Sequence, residues 1–406
     1  MFTGTTSEKM LKKLLVLVIV LTAFYVPANN SLWLRITGNS GDANKPAVNV
    51  DPEWINLTHR YKRWVRHAMR SEGVPGAAIA IVKDSTVMML EGFGVKKAGT
   101  TDSVDVHTVF RLASLSKGFA SVLTAQYVEE GCLNWDDKIK SHVPYFALRH
   151  RSHADNMTIR HVLSHTTGLP RHTFSNLLNQ GVYYDEIFSR LREVRIPHRL
   201  GTRYNYQNVV YSLIGDVIYA ATDKSYARLL GERIFEPAGM TDASATFEAM
   251  LETPNIAHPH DLQRNGKYEV AEVLRNYYEV IPAAGVNASI SDMANWLQVL
   301  MGNRPDVVSE DALAQVFTPQ VEVNLLEMRD WQGLQRAWYG LGWRILDFDH
   351  KMLVYHGGFV NGYRTEIAFD PRDKVGIVVL SNGVSNFIGD SVEQFFNMHE
   401  EMEIVQ

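Results

Sequence analysis

"FRLASLSKGFASVLTAQYVEEG", Phe110 to Gly131, is the stretch on which the reading of this chain turns. Its apolar spacing predicts a helix, and Gly131 supplies a stop at the C-terminal end. Two serines, Ser114 and Ser116, crowd a single lysine, Lys117, at its start. Residues three apart share a helix face with Cβ atoms roughly 5–6 Å apart, so Lys117 reaches Ser114. Ser116 has Phe119 at that spacing and no comparable partner. A serine hydroxyl is a poor nucleophile near neutral pH and needs a base within hydrogen-bond reach. Lysine serves as that base only when burial or neighbouring cations depress its pKa. A helix N-terminus also stabilises developing negative charge. Ser114 is equally a good N-cap residue. Chance alone produces a serine with lysine at i+3 about once in a chain of this size, so the spacing needs company before it means a site.

Outward from this stretch, the signals alternate between sheet and helix. A charged amphipathic helix is expected over Trp54 to Ser71. "GAAIAIVKD" (Gly76–Asp84) and "TVMMLEGFGV" (Thr86–Val95) read as a hairpin turning at Asp84-Ser85. From about Trp135 to Val280 the signals are mostly helical. "TIRHVLSHTTGLP" predicts a helix ending at Gly168, with Pro170 blocking continuation. Further helices are expected over Val209–Thr222, Ser225–Gly239 and Ser289–Gly302, the last with a serine or aspartate cap. "YGLGWRILDF", "KMLVYHGG", "YRTEIAFDP" and "KVGIVVLSNG" then read as an antiparallel meander with turns at Asp349-His350 and Pro371–Asp373. A last helix is expected over Gly389–Met402. Strands at both ends and helices between them predict one sheet built from both ends with a helical lobe inserted.

Two distant motifs give the Ser114–Lys117 pair its company. In "GTRYNYQNVVYSLIG", Tyr206 and Asn208 precede a helix. A phenol near a lysine can act as general acid or base, and an asparagine amide can orient lysine or substrate. A packed aromatic is the plainer reading of Tyr206, and Tyr204 is its local rival. In "VYHGGFVNGY", His356, Gly357 and Gly358 end a strand. Two glycines weaken a strand and often mark close approach of a ligand to the backbone. His356 can donate to a substrate or help carry a proton; otherwise it is a surface histidine in a bulge.

The chain has 406 residues, 46% of them apolar, and a formal net charge of −5, which argues against a dedicated nucleic-acid binder. The single cysteine, Cys132, excludes an intramolecular disulfide and a cysteine-based zinc cluster. At the N-terminus, Lys9, Lys12 and Lys13 lead an apolar run from Leu14 to Val26, followed by Pro27, Ala28 and Asn29. That is the layout of a secretory signal, and the run falls short of the roughly 20 residues of a spanning helix. Residues 1–28 are therefore expected to be a signal peptide or an N-terminal membrane anchor, residues 29–50 a linker, and the protein exported. His165 reads as a satisfied buried histidine. His258 and His260 lack a carboxylate at a persuasive spacing, so no metal is expected. Trp331, Trp338, Trp343 and Tyr339 read as core.

The order Ser114-x-x-Lys117, Tyr206-x-Asn208, then His356-Gly357-Gly358 in place of Lys-Thr-Gly resembles the serine β-lactamase-related hydrolases. The branch it looks most like holds class C β-lactamases, D-alanyl-D-alanine carboxypeptidases, D-aminopeptidases and esterases. The resemblance runs from about Asp51 to Phe396 and includes "PGAAIAIVKD", "IRHVLSHTTGLP", "RIFEPAGMTDA" and "YGLGW". It implies an α/β (α+β) fold of the β-lactamase/transpeptidase type, an antiparallel sheet flanked by helices with an inserted all-helical lobe. The catalytic domain would span 51–402, with a sheet lobe at about 51–134 and 281–402 and a helical lobe at about 135–280.

Carried over by residue, the resemblance makes Ser114 the acylated nucleophile and Lys117 its proton acceptor. Tyr206 becomes the second acid/base, and Asn208 orients Lys117 and substrate. The backbone N–H groups of Ser114 and Phe359 form the oxyanion hole. His356 stands where the family has a lysine that holds a carboxylate. It is a weaker, pH-dependent cation, and Gly357 removes the threonine hydroxyl beside it. Both changes favour an ester, amide or peptide substrate with another acyl group over a β-lactam or D-alanyl-D-alanine. Gln207, bulkier than the residue usual there, should point away from the pocket. The expected protein is an exported serine hydrolase, periplasmic or extracellular, acting on a small molecule or peptide without cofactor or metal. Its N-terminal segment offers a route to membrane association. The alternatives on the same resemblance are a β-lactamase or carboxypeptidase, a non-catalytic penicillin-binding receptor, and an acyltransferase.

Overall fold

The first described helix, α1 (Pro52–Glu72), starts and stops where its sequence dictates. The Asp51 side chain accepts a hydrogen bond from the Glu53 N–H at 2.9 Å, and Pro52 fills the first helical position, where no N–H is needed. Gly73, at φ 66°, closes the other end in the left-handed conformation. Trp54, Leu57, Tyr61, Val65, Ala68 and Met69 form its buried stripe. The computed structural model describes residues 51–329, 331–348 and 351–405. The segment expected to be a signal or anchor, the linker after it, and the Asp349-His350 turn lie outside them. No helix among the described residues is long and apolar enough to cross a membrane.

Strands β1 (Gly76–Lys83) and β2 (Thr86–Gly94) form the expected hairpin, with Asp84 at φ 51° in the turn. After β3 (Phe110–Arg111) the chain enters helix α2 (Ser116–Glu129). The middle of the chain holds α3 (Ile159–Leu163), α4 (Leu213–Thr222), several shorter helices, and a hairpin of β4 (His260–Leu262) and β5 (Tyr268–Val270). This region is therefore not all helical. Helix α5 (Ile281–Ala284) leads into β6 (Asn287–Ala288), which pairs with β3, and then into α6 (Ile290–Leu300). Ser289 and Asp292 cap α6 reciprocally, each side chain accepting from the other's backbone N–H. The end of the chain supplies β7 (Val321–Glu322), β8 (Arg336–Tyr339), β9 (Arg344–Asp347), β10 (Met352–Val360), β11 (Tyr363–Asp370), β12 (Val375–Ser381) and helix α7 (Phe387–Val405).

These strands make one eight-stranded antiparallel sheet in the order β2-β1-β12-β11-β10-β9-β8-β7. Both ends of the sequence meet where β1 pairs with β12, Ala77 opposite Ser381 and Lys83 opposite Val375. Strand β1 is buried almost throughout, so both of its faces are covered. Ala78, Ala80 and Val82 share one face with Leu380, Val378 and Ile367, and that face joins the main core with Phe119 and Trp296. Helices α1 and α7 pack together, joined by a hydrogen bond from the Tyr61 hydroxyl to the Ser391 carbonyl at 2.9 Å. His260, weighed above as a metal ligand, is buried and satisfied by the protein itself. Its Nε2 accepts from the Ala98 N–H and its Nδ1 lies 2.8 Å from the Asn382 carbonyl. No metal-binding cluster occurs among the described residues.

The two helix boundaries nearest the candidate site differ from expectation. The segment from Phe110 is not helical at first. It runs as strand β3, then a 3-10 turn over Ala113–Leu115, and becomes α-helical only at Ser116. Helix α3 stops at Leu163, and His165 takes φ 58° long before Gly168. The second break turns the chain toward its neighbours, the Leu163 carbonyl accepting from the Gly342 N–H and the His165 carbonyl from the Asn205 N–H. Gly118 on α2 shows how close the packing is, because a Cβ there would sit 2.3 Å from the Trp343 ring. Gly118→Ala is expected to lower stability by about 1–3 kcal/mol in urea denaturation, since the buried indole cannot step aside. An unchanged midpoint would show that the helix and sheet are not held at this contact.

Candidate active site

Ser114 sits half-buried in the 3-10 turn between β3 and α2. Ala113 before it has φ 50°, a left-handed conformation that costs a non-glycine residue roughly 1–3 kcal/mol. Several contacts hold the turn in place. The Ser116 hydroxyl donates to the Ala113 carbonyl at 2.7 Å and accepts from the Val286 N–H at 3.0 Å. The Thr365 hydroxyl donates to the Leu112 carbonyl at 2.8 Å. Ser116 is thus a structural brace. Ser114 is not the helix cap it resembled, because the N-cap position of α2 falls on Leu115 and carries no side-chain bond. The Ser114 hydroxyl faces Lys117 and Tyr206 instead.

Lys117 is fully buried in the first turn of α2. Its Nζ lies 2.8 Å from Asn208 Oδ1, 3.0 Å from the Ala283 carbonyl and 3.5 Å from Ser114 Oγ. Burial, and then the positive charge of Arg344, hold its pKa well below the ordinary lysine range. A neutral amine has two N–H donors and one lone pair. The two carbonyl oxygens take both donors, which leaves the lone pair for the Ser114 hydroxyl. The aromatic rings of Tyr206 and Tyr211 lie 4.5 and 5.3 Å from the nitrogen. The Tyr211 hydroxyl donates to the Lys117 carbonyl at 2.9 Å.

Tyr206 and Asn208 lie on an irregular segment that ends in a 3-10 turn, Val210–Ser212, ahead of α4. Backbone and side-chain bonds fix that segment. The His172 N–H donates to the Tyr206 carbonyl at 2.8 Å, and the Gln207 N–H donates to His165 Nδ1 at 3.2 Å. The Gln207 side chain turns away from Ser114 and donates to the Pro170 carbonyl. Burial raises the pKa of the Tyr206 hydroxyl, and Arg344 and then Ser114 only partly offset that. The His165 ring packs against Tyr206 at a tilt, their centroids 4.4 Å apart. It is buried, with one nitrogen satisfied and Nε2 without a partner. Burial, then Lys117, His356 and Arg344, keep it neutral. It supports Tyr206 from behind.

His356, Gly357 and Gly358 lie inside β10, in register with Ile367, Glu366 and Thr365. The glycines serve a close approach of protein to protein. A Cβ on Gly358 would meet Thr365 Oγ1 at 2.3 Å and the Leu112 carbonyl at 2.6 Å, and one on Gly357 would meet the Tyr355 hydroxyl at 2.8 Å. Only a bare backbone lets β10 lie against the Ser114 turn. The expectation that His356 meets substrate as a pH-dependent cation is corrected here. The ring is fully buried, 3.1 Å from the Tyr339 hydroxyl and 2.8 Å from the Gly357 carbonyl. Burial, then the charge of Arg344, push its pKa well below the usual histidine value. Phe359, next along β10, is 57% exposed and therefore open to a ligand.

Sequence reasoning passed over three contributors. The Ala283 carbonyl is a backbone acceptor and carries no residue signature. Tyr339 was read as core, which it is, but its hydroxyl reaches His356. Arg344 was not singled out. It is half-buried on β9, with Nη2 3.4 Å from the Tyr204 hydroxyl and its guanidinium 5.7 Å from the Tyr206 ring centroid. Together the residues form a buried amine of lowered pKa, a protonated phenol and a hydroxyl beside them, a set suited to moving a proton off an attacking oxygen.

Comparison with known proteins agrees with this geometry. A family model described as Beta-lactamase matches residues 61–392. Protein flp of Staphylococcus aureus (strain N315) is 25% identical over 331 residues, covering 81% of this chain and 64% of that protein. The unguisins hydrolase ungD' of Aspergillus campestris is 24% identical over 347 residues, covering 83% of this chain and 64% of its own length. The chain thus spans somewhat under two thirds of these curated relatives. Among solved structures, the octameric penicillin-binding protein homologue from Pyrococcus abyssi superposes with a TM-score of 0.75 at 23% identity, over 86% of this chain and 77% of that one. That likeness shows the β-lactamase/transpeptidase-like fold, an antiparallel sheet with flanking helices. With the family model matched along most of its length and the fold in place, the chain belongs to the β-lactamase family.

Proposed function

We propose that the protein is an exported serine hydrolase that cleaves an ester or amide bond through an acyl-enzyme on Ser114. The observation that carries this reading is the Lys117 amine. Its Nζ is anchored on two carbonyl oxygens, Asn208 Oδ1 and Ala283 O, and held 3.5 Å from Ser114 Oγ, the placement from which the deprotonated amine takes the hydroxyl proton. Burial pushes the Lys117 pKa down and the Tyr206 pKa up, which favours the base form of one and the acid form of the other on either side of one hydroxyl.

In the first half-reaction Lys117 takes the Ser114 proton as Oγ bonds to the acyl carbon. The Tyr206 hydroxyl gives its proton to the leaving alcohol or amine as that bond breaks. In the second, the Tyr206 phenolate takes a proton from water, whose oxygen bonds to the acyl carbon. Ser114 leaves and recovers its proton from Lys117. Asn208 holds the amine in line. The N–H groups of Ser114 and Phe359 hold the oxyanion, a role supported by the close approach of Gly358 to the Ser114 turn. Export is supported by the basic lead and the apolar run from Leu14 to Val26. Fractionation of the native host should recover the protein outside the cytoplasm, and cytoplasmic retention would contradict export.

A fluorophosphonate probe should label the wild type at Ser114 and leave Ser114→Ala unlabelled; labelling that survives the substitution sinks the assignment. Lys117→Ala and Tyr206→Phe should each lower kcat/KM for a nitrophenyl ester by about 10²–10⁴. Near wild-type rates in both would remove their roles. The pH profile of kcat/KM should show an acid limb that reports Lys117, because protonation consumes its lone pair. Its apparent pKa should lie well below the ordinary lysine value of about 10.4. In Arg344→Gln the limb should move to higher pH, since a cation that disfavours the ammonium is gone. A limb that stays in place or moves to lower pH would break the link between Arg344 and the base.

A further inference from the structure

The chain carries a net charge of −5, but one segment reverses that sign. Residues 149–203 hold nine arginines, four carboxylates and no lysine. Part of this charge is taken up inside the protein. Arg151 shares Asp155 with Lys140, Arg160 pairs with Asp136 at 2.8 Å, and Arg171 pairs with Glu327 at 2.6 Å. The Arg190 guanidinium lies over the Phe174 ring. Arg149, Arg192, Arg195, Arg199 and Arg203 are exposed, and among the described residues no aspartate or glutamate pairs with them. The fold gathers these segments. The Gly201 N–H donates to the Thr166 carbonyl at 2.9 Å, and the His198 N–H donates to the Gly168 carbonyl at 3.3 Å. His153, on the short helix Arg151–Asn156, places Nε2 2.7 Å from the Thr167 carbonyl. A Cβ on Gly168 would meet the His198 carbonyl at 2.4 Å and the His153 ring at 3.0 Å, so the three segments are pressed together. Two tyrosines stand out beside them, Tyr145 70% and Tyr183 68% exposed. Phe188 ties both to the arginines. Its ring centroid lies 5.8 Å from that of Tyr145 and 5.7 Å from that of Tyr184, and it comes just before the turn Arg190–Glu193.

We propose that this arginine face docks the protein on an anionic membrane surface, with guanidinium groups on lipid phosphates and Tyr145 and Tyr183 at the level of the headgroups. The proposal does not depend on the reading of Ser114. A charge run is ordinarily a solvated face, and three features separate this one from that. Its cations are all arginine, whose planar fork pairs bidentately with phosphate. Its own counter-charges are few. Asp155 is engaged, which leaves Asp185, Glu186 and Glu193 against five unpaired arginines. Exposed tyrosines beside basic side chains also match a membrane interface, where an amphipathic ring meets both water and lipid. A soluble polyanion would need the charge alone. The expected export, read from the basic lead and the apolar run to Val26, brings the chain to a membrane. Arg203 stands three residues before Tyr206, so the docking face borders the candidate active site.

Vesicle co-sedimentation of the full chain tests the proposal. Vesicles of phosphatidylcholine alone are compared with vesicles carrying about 30% phosphatidylglycerol, at low and at physiological salt. The apolar N-terminal run contributes to both, so the readout is the ratio of anionic to neutral binding. For wild type that ratio should be high and should fall with salt. Arg195→Gln/Arg199→Gln/Arg203→Gln should lower it at least about tenfold, since each basic side chain near an anionic surface is worth about fivefold. Arg63→Gln/Arg70→Gln/Arg264→Gln removes the same charge from exposed arginines on α1 and the β4–β5 hairpin, and should leave the ratio within about twofold of wild type. Tyr145→Ser/Tyr183→Ser should weaken vesicle binding and leave binding of oligothymidylate, a soluble polyanion, unchanged. Unfolding midpoints confirm that each variant is folded. If wild type shows no preference for anionic vesicles, or both arginine triples lower it equally, the docking face is overturned. If oligothymidylate binds as tightly as the vesicles and the tyrosine variant loses nothing, the face is a general polyanion site and the membrane assignment is overturned.

Discussion

A lysine side chain buried inside the protein, its pKa pushed down by that burial, is the constraint on which the rest of the site depends. Lys117 gains nothing in stability from its position, because burial disfavours its charged form and Arg344 adds to the pressure. It is tolerated because Asn208 and the Ala283 carbonyl accept its two N–H bonds. Every element that meets at this point is shaped around it. Helix α2 brings the lysine in, α5 supplies the carbonyl, and the irregular segment before α4 brings Asn208 and Tyr206. Glycines at 118 and 358 let helix and strand close on the same spot. Such an arrangement trades stability for a reactive state, as functional sites commonly do.

The electrostatics of the pocket follow from aromatic walls as much as from charges. The rings of Tyr206 and Tyr211 face the amine, and His165 and His356 are held neutral by burial and by Arg344. A protonated imidazole here would add a further positive charge to a site that already holds Arg344. The chain solves that problem by burying the rings and giving one of them, His356, a phenol as partner. Arg344, on the neighbouring strand β9, remains as a cation of the site.

Much of this was legible in the sequence, and for local reasons. The i to i+3 relation of Ser114 and Lys117 holds because the turn and helix carry both on one side. The β1–β2 hairpin followed from alternation and a two-residue turn. Tyr206 and Asn208 were identified by motif order, and the structure brings both to the amine. What was not legible depends on contacts across elements. The burial of His356 is set by Tyr339, on a strand two positions away in the sheet. Arg344 has no marker in its own neighbourhood, since its influence on Lys117 and Tyr206 acts across separate elements. The reading of Ser114 as a helix cap failed because a left-handed Ala113 starts a 3-10 turn that apolar periodicity does not reveal.

The central claim is that Ser114 carries the acyl group of a substrate during turnover. Acid-quenching the enzyme in the first turnovers of a slowly deacylated ester, followed by trypsin and mass spectrometry, tests it most directly. Cleavage after Arg111 and Lys117 isolates the peptide Leu112–Lys117, which holds both Ser114 and Ser116. The account predicts the acyl mass on this peptide, with fragmentation placing it on Ser114. Turnover with an unmodified peptide, or an acyl group on Ser116 or elsewhere, would contradict it.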